Sequence, residues 1–487
     1  MSDEIEDMEM VYEDYDASNS VDRSFANETN DFLDECILLL HLLDKRTNNS
    51  EHWESYLHKY GEYDAKHIIL YNWIALSLVR ERHADVAAVA VYRLKGKPTR
   101  VYYAKNNLTP ADEAHAKEFA ELVQFAASTT ISIVEFQKKY FSLIHKNCLG
   151  KLKRRVDNLR ASVSLRAKPL KDRDGNLILT PSQGDQLRTL LQKAIDTNAT
   201  PPFRRNRPDV DALNLIPDTN NIFVALLKIL DSMKLFMASE ETADMLENLC
   251  GHCFIIGSSG TLEEITRSNR PAHHVVEVAR KLGEYYRGIA RLFYLLADDH
   301  MRASLSTFEF FSVPSTPNRN VELCRNWYHI IETVYVRVEG QNMRVARDKL
   351  YAALQSEIIA YAKYNGGFIR HAEINLIEYL MKNNLSPTVI GISKLSCILC
   401  NAWIDSLNRD NVMKWKVNGC HGRFYAWARD LNAGPMTAAA EANVKNVVYR
   451  ELVNLVSAWI PDPGESPSHP NDVMDEQAHP ATFRIWY

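Results

Sequence analysis

Residues 366–407 contain two short motifs that constrain this chain more than any other part of its sequence. The first is His371-Ala372-Glu373, and the second is Cys397-x-x-Cys400, which begins 26 residues after the histidine. One imidazole and two thiolates are ligands that zinc prefers, and three protein ligands leave its fourth position open to water, whose pKa the ion lowers. A nearby carboxylate such as Glu373 can then move protons. The motifs therefore predict a hydrolytic zinc site.

Each motif occurs twice in the chain, and the distance between the motifs selects one pair. The histidine of His52-x-Glu54 precedes Cys250 by 198 residues, whereas the interval from His371 leaves room for one helix, one turn and one strand. Cys250 and Cys253 also lack a second pair of ligands at a usable spacing. We therefore interpret these two cysteines as buried free thiols.

The interval between the selected motifs has a regular pattern. The sequence predicts a helix over residues 373–382, a turn over 383–387 and a strand over 388–392. A second helix begins at Cys397, so both sulfurs, three residues apart, lie on one helix face and can reach the same ion. The positive end of the helix dipole favours their thiolate forms.

At these residues the chain resembles the cytidine-deaminase-like superfamily, whose signature is H-x-E followed by P-C-x-x-C. Ser396 stands where proline is usual. The wider strings GISKLSCILCNAWI and NGCHGRFYAW resemble a largely fungal branch of predicted nucleotide or nucleic-acid deaminases, and the close resemblance covers residues 366–427. The resemblance implies that His371, Cys397 and Cys400 bind Zn²⁺, whose water attacks the ring carbon of a nucleobase, and that Glu373 shuttles protons.

The resemblance also implies a fold. We expect an α/β protein, with a three-layer α/β/α domain built on a five-stranded mixed sheet, and a large, mostly helical N-terminal or inserted region. The superfamily fold opens with a helix and a β-hairpin, and residues 66–105 fit that description better than the local candidate at 333–340. We therefore predict that the hairpin at 85–104 joins the strand at 388–392 in one sheet. Asn106 or Asn107, directly after the hairpin, would then face the substrate sugar.

Composition shifts divide the chain into five predicted segments. The sequence predicts an acidic disordered tail at 1–28, a helical segment with the hairpin at 30–108, a mostly helical insertion at 109–320 with a basic linker at 151–221, the zinc domain at 321–460, and a C-terminal tail at 461–487.

The resemblance implies hydrolytic deamination, but it does not select one class of substrate. A free nucleoside, a nucleotide or a single-stranded nucleic acid each remains open. Nine Lys or Arg between Lys151 and Arg173 offer a phosphate contact, although a solvated basic helix face is the alternative. Ser396, His421 and Trp427 are candidates for lining the substrate pocket, and simple packing is the alternative for His421 and Trp427.

Overall composition limits the compartment and the competing functions. A net charge of −5, no secretory signal and no apolar run of the length that crosses a bilayer predict an intracellular protein, cytoplasmic or nuclear, with no membrane partner. Two other functions fit parts of the chain. One is a non-catalytic scaffold with a structural zinc, which Glu373 argues against; the other is a redox dithiol protein, which lacks a thioredoxin-like strand context.

Overall fold

The computed structural model of the chain describes residues 30–44, 54–55, 59–81, 85–93, 97–129, 131–164, 170–171, 177–178, 186, 189–190, 243–258, 266–316, 327–340, 368–410, 414–428 and 434–457. Both predicted tails, most of the predicted basic linker and residues 222–242 of the predicted helical insertion lie outside the described residues. We number helices and strands in chain order.

A four-stranded mixed sheet lies at the centre of the described structure. Side by side, its strands are β6 (Glu309–Val313), β3 (Arg100–Lys105), β2 (Ala87–Tyr92) and β7 (Ile390–Ile392). Strands β2 and β3 form an antiparallel hairpin, β7 runs antiparallel to β2, and β6 runs parallel to β3. The chain therefore builds one sheet from strands that are up to 300 residues apart.

The pairing of β2 with β7 confirms the predicted position of the hairpin. Ala88 pairs with Ile392 and Ala90 pairs with Ile390 in this ladder. Gly391 lets the helix that contains Tyr71 lie directly against β7, because a Cβ atom at this position would lie only 2.2 Å from the Tyr71 backbone. The strand that leads to Ser396 is thus held between the hairpin and a helix.

The predicted number of strands is wrong for the described residues, which form a sheet of four strands rather than five. The segment on the outer side of β7 contributes only an isolated parallel bridge, Val389 to Lys416, instead of a ladder. The edge strand β6 lies where the sequence predicted no strand, directly before Pro314. The local hairpin candidate at 333–340 is mostly helical.

Helices cover both faces of the sheet because successive strand residues point to opposite sides. Val89 and Val101 belong to a core shared with α2 (Glu62–Ser77), α3 (Pro110–Ser128), α4 (Ile133–Ser164), α5 (Ala243–Ser258), α6 (Arg270–Leu296) and α7 (Asp299–Leu305). Ala88 and Ala90 belong to a second core shared with α1 (Asn30–Asp44), α8 (Trp327–Glu339), α9 (Ala372–Lys382), α10 (Ile398–Asp410) and α11 (Pro435–Ser457). Both motif helices, α9 and α10, therefore lie on the same face.

Two short strand pairs and the basic segment complete the description. Strand β1 (Glu54–Ser55) pairs with β8 (Gly419–Cys420), and β4 (Leu170–Lys171) pairs with β5 (Leu177–Ile178). Residues 151–164, the start of the predicted basic linker, instead continue helix α4 beyond a kink at Cys148. Among the described residues, no helix is both long enough and apolar enough to span a membrane.

Candidate active site

The three predicted metal ligands converge at the N-terminal ends of two helices. His371 is the N-cap residue of α9, Cys397 directly precedes α10, and Cys400 lies in the first turn of α10. His371 Nδ1 lies 3.2 Å from the sulfur of Cys400 and 3.5 Å from the sulfur of Cys397. The ligand atoms of all three residues lie within 4.8 Å of one another. Two thiols and one imidazole at such distances are a donor set that fits zinc.

Electrostatics within this group already favour a thiolate. Burial alone raises the pKa of Cys397, but hydrogen bonding from Cys400 and the adjacent His371 hold it well below its usual value. Burial and the charge of Cys397 raise the pKa of Cys400 well above its usual value. Burial lowers the pKa of His371, but the charge of Cys397 outweighs it and the net shift is upward. The buried group thus stabilises negative charge on sulfur beside a basic nitrogen.

Glu373 places a carboxylate against the same group. It lies in the first turn of α9, is only 3% exposed, and is hydrogen bonded to the side chain of Cys400. Burial raises its pKa, with the charge of His371 opposing the shift. A carboxyl with a raised pKa is a stronger base than an ordinary carboxylate, which suits a group that must take up and later release a proton.

Asn106 connects the hairpin to the site through the helix start. Its side-chain oxygen accepts a hydrogen bond of 2.9 Å from the backbone N–H of Ala372, between the predicted ligand His371 and Glu373. Asn106 is buried, whereas Asn107 is exposed. The structure therefore gives Asn106 a positioning contact, and the predicted contact of either asparagine with a substrate sugar stays a prediction.

We expect the Asn106→Ala variant to lower the free energy of unfolding by about 1–3 kcal/mol, because the buried N–H of Ala372 loses its partner. Asn107→Ala, at the exposed neighbouring position, should change the free energy of unfolding by less than about 0.5 kcal/mol. Urea unfolding monitored by circular dichroism measures both values. Equal effects of the two variants would contradict the positioning role.

The three candidate pocket residues differ in their surroundings. Ser396 is fully buried and is held by backbone hydrogen bonds of 3.0 Å to Gly419 and to His421. Burial lowers the pKa of His421 to about 4, so its imidazole is neutral, and its ring lies 5.1 Å from that of Tyr425. Trp427 is fully buried, and the guanidinium of Arg370 lies 4.8 Å from its ring. These contacts are those of a packing residue, and its predicted pocket role stays a prediction.

Two residues that contact the site lie outside the sequence motifs and were not predicted from them. His41, in helix α1, lies 2.7 Å through Nδ1 from the carbonyl oxygen of Phe424, and its ring lies 5.9 Å from that of Tyr425. The ring of Tyr425 in turn lies 6.3 Å from the ring of His371. Helix α1 is more than 300 residues away along the chain, so only the tertiary fold reveals its contribution.

Arg370 is the second residue that the motifs do not reveal. Its guanidinium is buried, forms ion pairs with Glu378 and Glu441, and donates a hydrogen bond of 2.9 Å to the carbonyl of Ala428. These contacts tie the residue before His371 to helices α9 and α11. Because Arg370 directly precedes His371, these contacts also hold the His371 backbone in place, and its imidazole stays directed at the two sulfurs.

The second Cys-x-x-Cys pair differs from the first in its place in the helix and in the residues around it. Cys250 and Cys253 lie inside helix α5 and are fully buried, and burial raises the pKa of Cys250 to about 12. A metal site needs at least three His, Cys, Asp or Glu side chains whose ligand atoms lie close together. Among the described residues, only His371, Cys397 and Cys400 form such a group.

In this α/β protein a His/Cys/Cys group with two buried sulfurs and an adjacent buried carboxylate lies at two helix starts on one face of a mixed sheet. That arrangement is suited to metal-assisted hydrolysis. The family model described as an OTT_1508-like deaminase matches residues 370–429, which hold His371, Glu373, Cys397 and Cys400. Residues 370–429 are thus similar to a deaminase domain of the cytidine-deaminase-like kind. No curated protein and no solved structure matches the chain. The helices of the opposite sheet face lie outside the matched segment.

Proposed function

We propose that the chain is a zinc-dependent deaminase that replaces an exocyclic amine of a nucleobase with oxygen. The observation that carries this proposal is Glu373, a carboxyl group that is 3% exposed and interacts with the side chain of Cys400 and with the charges of His371 and Cys397. A purely structural metal site has no use for a buried carboxylate, whose burial costs free energy unless it is paired. Hydrolysis requires a group of this kind.

His371, Cys397 and Cys400 would hold the zinc ion. When bound, zinc supplies a water molecule of lowered pKa and polarises the reacting centre. The side chains and helices of the protein stabilise charge and position the ligands. The helix dipoles of α9 and α10 stabilise negative charge at the site, and Asn106 and Arg370 keep the ligand-bearing turn of α9 in place.

Glu373 would carry the protons of the reaction. Water adds its oxygen to the ring carbon, and its proton goes to the Glu373 carboxylate. The C–N bond to the amino group then breaks, and Glu373 returns the proton so that ammonia leaves. The raised pKa of Glu373 supports this role, because burial makes its carboxylate a stronger base towards the proton of water.

The direct test is ammonia release by the full-length protein with a panel of adenine and cytosine nucleosides, nucleotides, single-stranded DNA and single-stranded RNA. We expect at least one substrate to release ammonia, activity to disappear after zinc is removed with a chelator, and activity to return when zinc is restored. A well-folded protein that contains zinc but acts on no member of the panel would favour a scaffold with a structural zinc.

A further inference from the structure

A buried lysine lies at the end of the hairpin, on the sheet face opposite to the metal ligands. Lys105 is the last residue of β3 and is only 1% exposed. Its Nζ lies 3.2 Å from the carbonyl oxygen of Leu78, 3.0 Å from Asp85 Oδ2 and 2.6 Å from Asp112 Oδ1. An ammonium group has three donors, so each donor has an acceptor here. Three separate segments of the chain thus hold this side chain in one position.

The two carboxylates that bind Lys105 also fix the backbone around them. Asp85 Oδ2 accepts hydrogen bonds of 2.8 and 2.9 Å from two backbone N–H groups of the turn after α2. Asp112 Oδ2 accepts a hydrogen bond of 2.9 Å from the backbone N–H of Thr109 and one of 2.6 Å from its hydroxyl, at the start of α3. Lys105 therefore joins the chain before β2 to the start of α3, on either side of the turn that follows β3.

A second cation completes this network. Arg80 Nη1 lies 3.4 Å from Asp112 Oδ1, which Lys105 also contacts. We call Lys105, Arg80, Asp85 and Asp112 the Lys105 network. Burial alone would raise the pKa of Asp112, but hydrogen bonds from Lys105 and Thr109 hold it below its usual value. Removal of the Lys105 ammonium would leave two buried carboxylates with one cation, which is costly because buried charge then lacks compensation.

The residue after Lys105 makes contact with the candidate active site. Lys105 contacts groups on one face of the sheet, whereas Asn106 contacts helix α9 on the other face. The Asn106 side-chain oxygen accepts the 2.9 Å hydrogen bond from the backbone N–H of Ala372. Ala372 lies between the histidine ligand and the proton carrier of the proposed site. The backbone position that the network gives to Lys105 thus determines where the acceptor for Ala372 lies.

We propose that Lys105 is a positioning residue of the active site, which acts through Asn106 on the first turn of helix α9. This inference rests on the proposed function. The buried ammonium fixes the end of β3, Asn106 transmits this position to the N–H of Ala372, and the turn that carries His371 and Glu373 stays beside the two sulfurs. The Lys105 network lies outside the segment that matches the deaminase family model, so the opposite sheet face contributes to the site.

A purely structural role for Lys105 would have a different signature. The network joins α2, β2 and α3, so its loss lowers the free energy of unfolding in either case. A structural role alone would leave the start of α9 and its metal affinity unchanged in those molecules that remain folded. A positioning role requires a local change at Ala372.

The test compares the full-length wild type with Lys105→Met and with the control Thr99→Val. Methionine keeps much of the apolar stem of lysine but carries no charge. Thr99 lies at the opposite end of β3, about 20 Å of extended strand from Lys105. It is 3% exposed, and its hydroxyl oxygen lies 2.5 Å from that of Ser304. Both variants lose a buried hydrogen-bonding group of the hairpin, but only Lys105→Met loses it beside Asn106.

Two measurements report on the start of α9 under conditions where the variants are folded. The first is hydrogen exchange of the metal-free protein, followed by mass spectrometry. We expect the peptide that contains Ala372 to exchange at least about tenfold faster in Lys105→Met, because this N–H loses a well-placed acceptor. The second is the zinc dissociation constant from competition with a chelator, which should rise about 10–100-fold. In Thr99→Val both quantities should stay within about twofold of the wild type.

The Asn106→Ala background tests the route of the effect. If Lys105 acts through Asn106, Lys105→Met should raise the zinc dissociation constant by less than about twofold when residue 106 is already alanine. Equal factors in both backgrounds would overturn the proposal. Exchange at Ala372 and zinc affinity in Lys105→Met that match those of Thr99→Val would overturn it as well. If Lys105→Met does not fold, Asp112→Asn weakens the same ion pair and provides the same comparison.

The two proposals fail in distinguishable ways. Faster exchange at Ala372 and weaker zinc binding in Lys105→Met, without ammonia release by the wild type from any compound, support the positioning role and count against the deaminase function. Zinc-dependent ammonia release by the wild type, with unchanged exchange and zinc affinity in Lys105→Met, supports the deaminase function and overturns the positioning role.

Discussion

The Glu373→Gln variant will retain the zinc content of the wild type and will release ammonia about 10²–10⁴ times more slowly. Glutamine preserves the shape of the side chain and its hydrogen bonding, but it cannot accept the proton of water. Because Glu373 is not one of the three grouped ligand residues, its replacement leaves the two sulfurs and the imidazole in place. The measurement is the turnover rate on the best substrate of the panel, with zinc determined by elemental analysis on the same samples.

A surface carboxylate provides the control for this variant. Glu121→Gln removes the charge of an exposed residue of helix α3 and should leave turnover and zinc content unchanged. A Glu373→Gln variant that turns over at the rate of the wild type would contradict the assignment of Glu373 as the proton carrier. Loss of zinc from Glu373→Gln would instead make the carboxylate a ligand.

The second large effect is expected from the ligands themselves. Loss of a residue that only supports a metal ligand lowers metal affinity by roughly 10–100-fold. Cys400→Ala removes a ligand itself, so it should lower the zinc affinity by more than this and should abolish ammonia release. The Cys400 sulfur lies 3.2 Å from His371 Nδ1, so its removal leaves two of three ligand residues around the ion. His371→Ala should give the same result, since the imidazole provides the only nitrogen in the described group.

The second cysteine pair provides a matched control for the loss of zinc. Cys250→Ala removes a buried sulfur from the same type of Cys-x-x-Cys motif in helix α5, and it should leave the zinc content unchanged. Zinc saturation at 100 times the dissociation constant stabilises a protein by about 2.7 kcal/mol. Zinc should therefore raise the melting temperature of Cys250→Ala but not that of Cys400→Ala. Equal zinc responses in both variants would contradict the assignment of Cys400.

The motif spacing was sufficient to predict which residues meet at the site. The sequence predicted a helix, a strand and a second helix between residues 373 and 410, and the structure has α9, β7 and α10 in those places. The choice of one Cys-x-x-Cys pair over the other also followed from spacing, and a single group of possible metal ligands among the described residues agrees with it. Local periodicity works here because the ligands lie at the starts of two helices that a single short strand separates.

Features that depend on distant parts of the chain were harder to predict. Strand β6 is five residues long and has only one partner strand, so its sequence has little of the alternation that identifies a longer strand. His41 and Arg370 act through contacts with residues far along the chain, and no local pattern indicates such pairing. The sequence predicted a basic linker from residue 151 because charged residues usually lie in solvent. In the structure residues 151–164 are helical, and Lys151 and Arg154 are buried.

X-ray absorption at the zinc edge of the purified full-length protein tests the central claim most directly, because it counts the atoms bound to the ion. If His371, Cys397 and Cys400 hold zinc with one position left for water, the spectrum will show two sulfur neighbours at about 2.3 Å and two nitrogen or oxygen neighbours at about 2.0–2.1 Å. A shell of four sulfurs, a shell without sulfur, or well-folded protein that takes up no zinc would contradict the account.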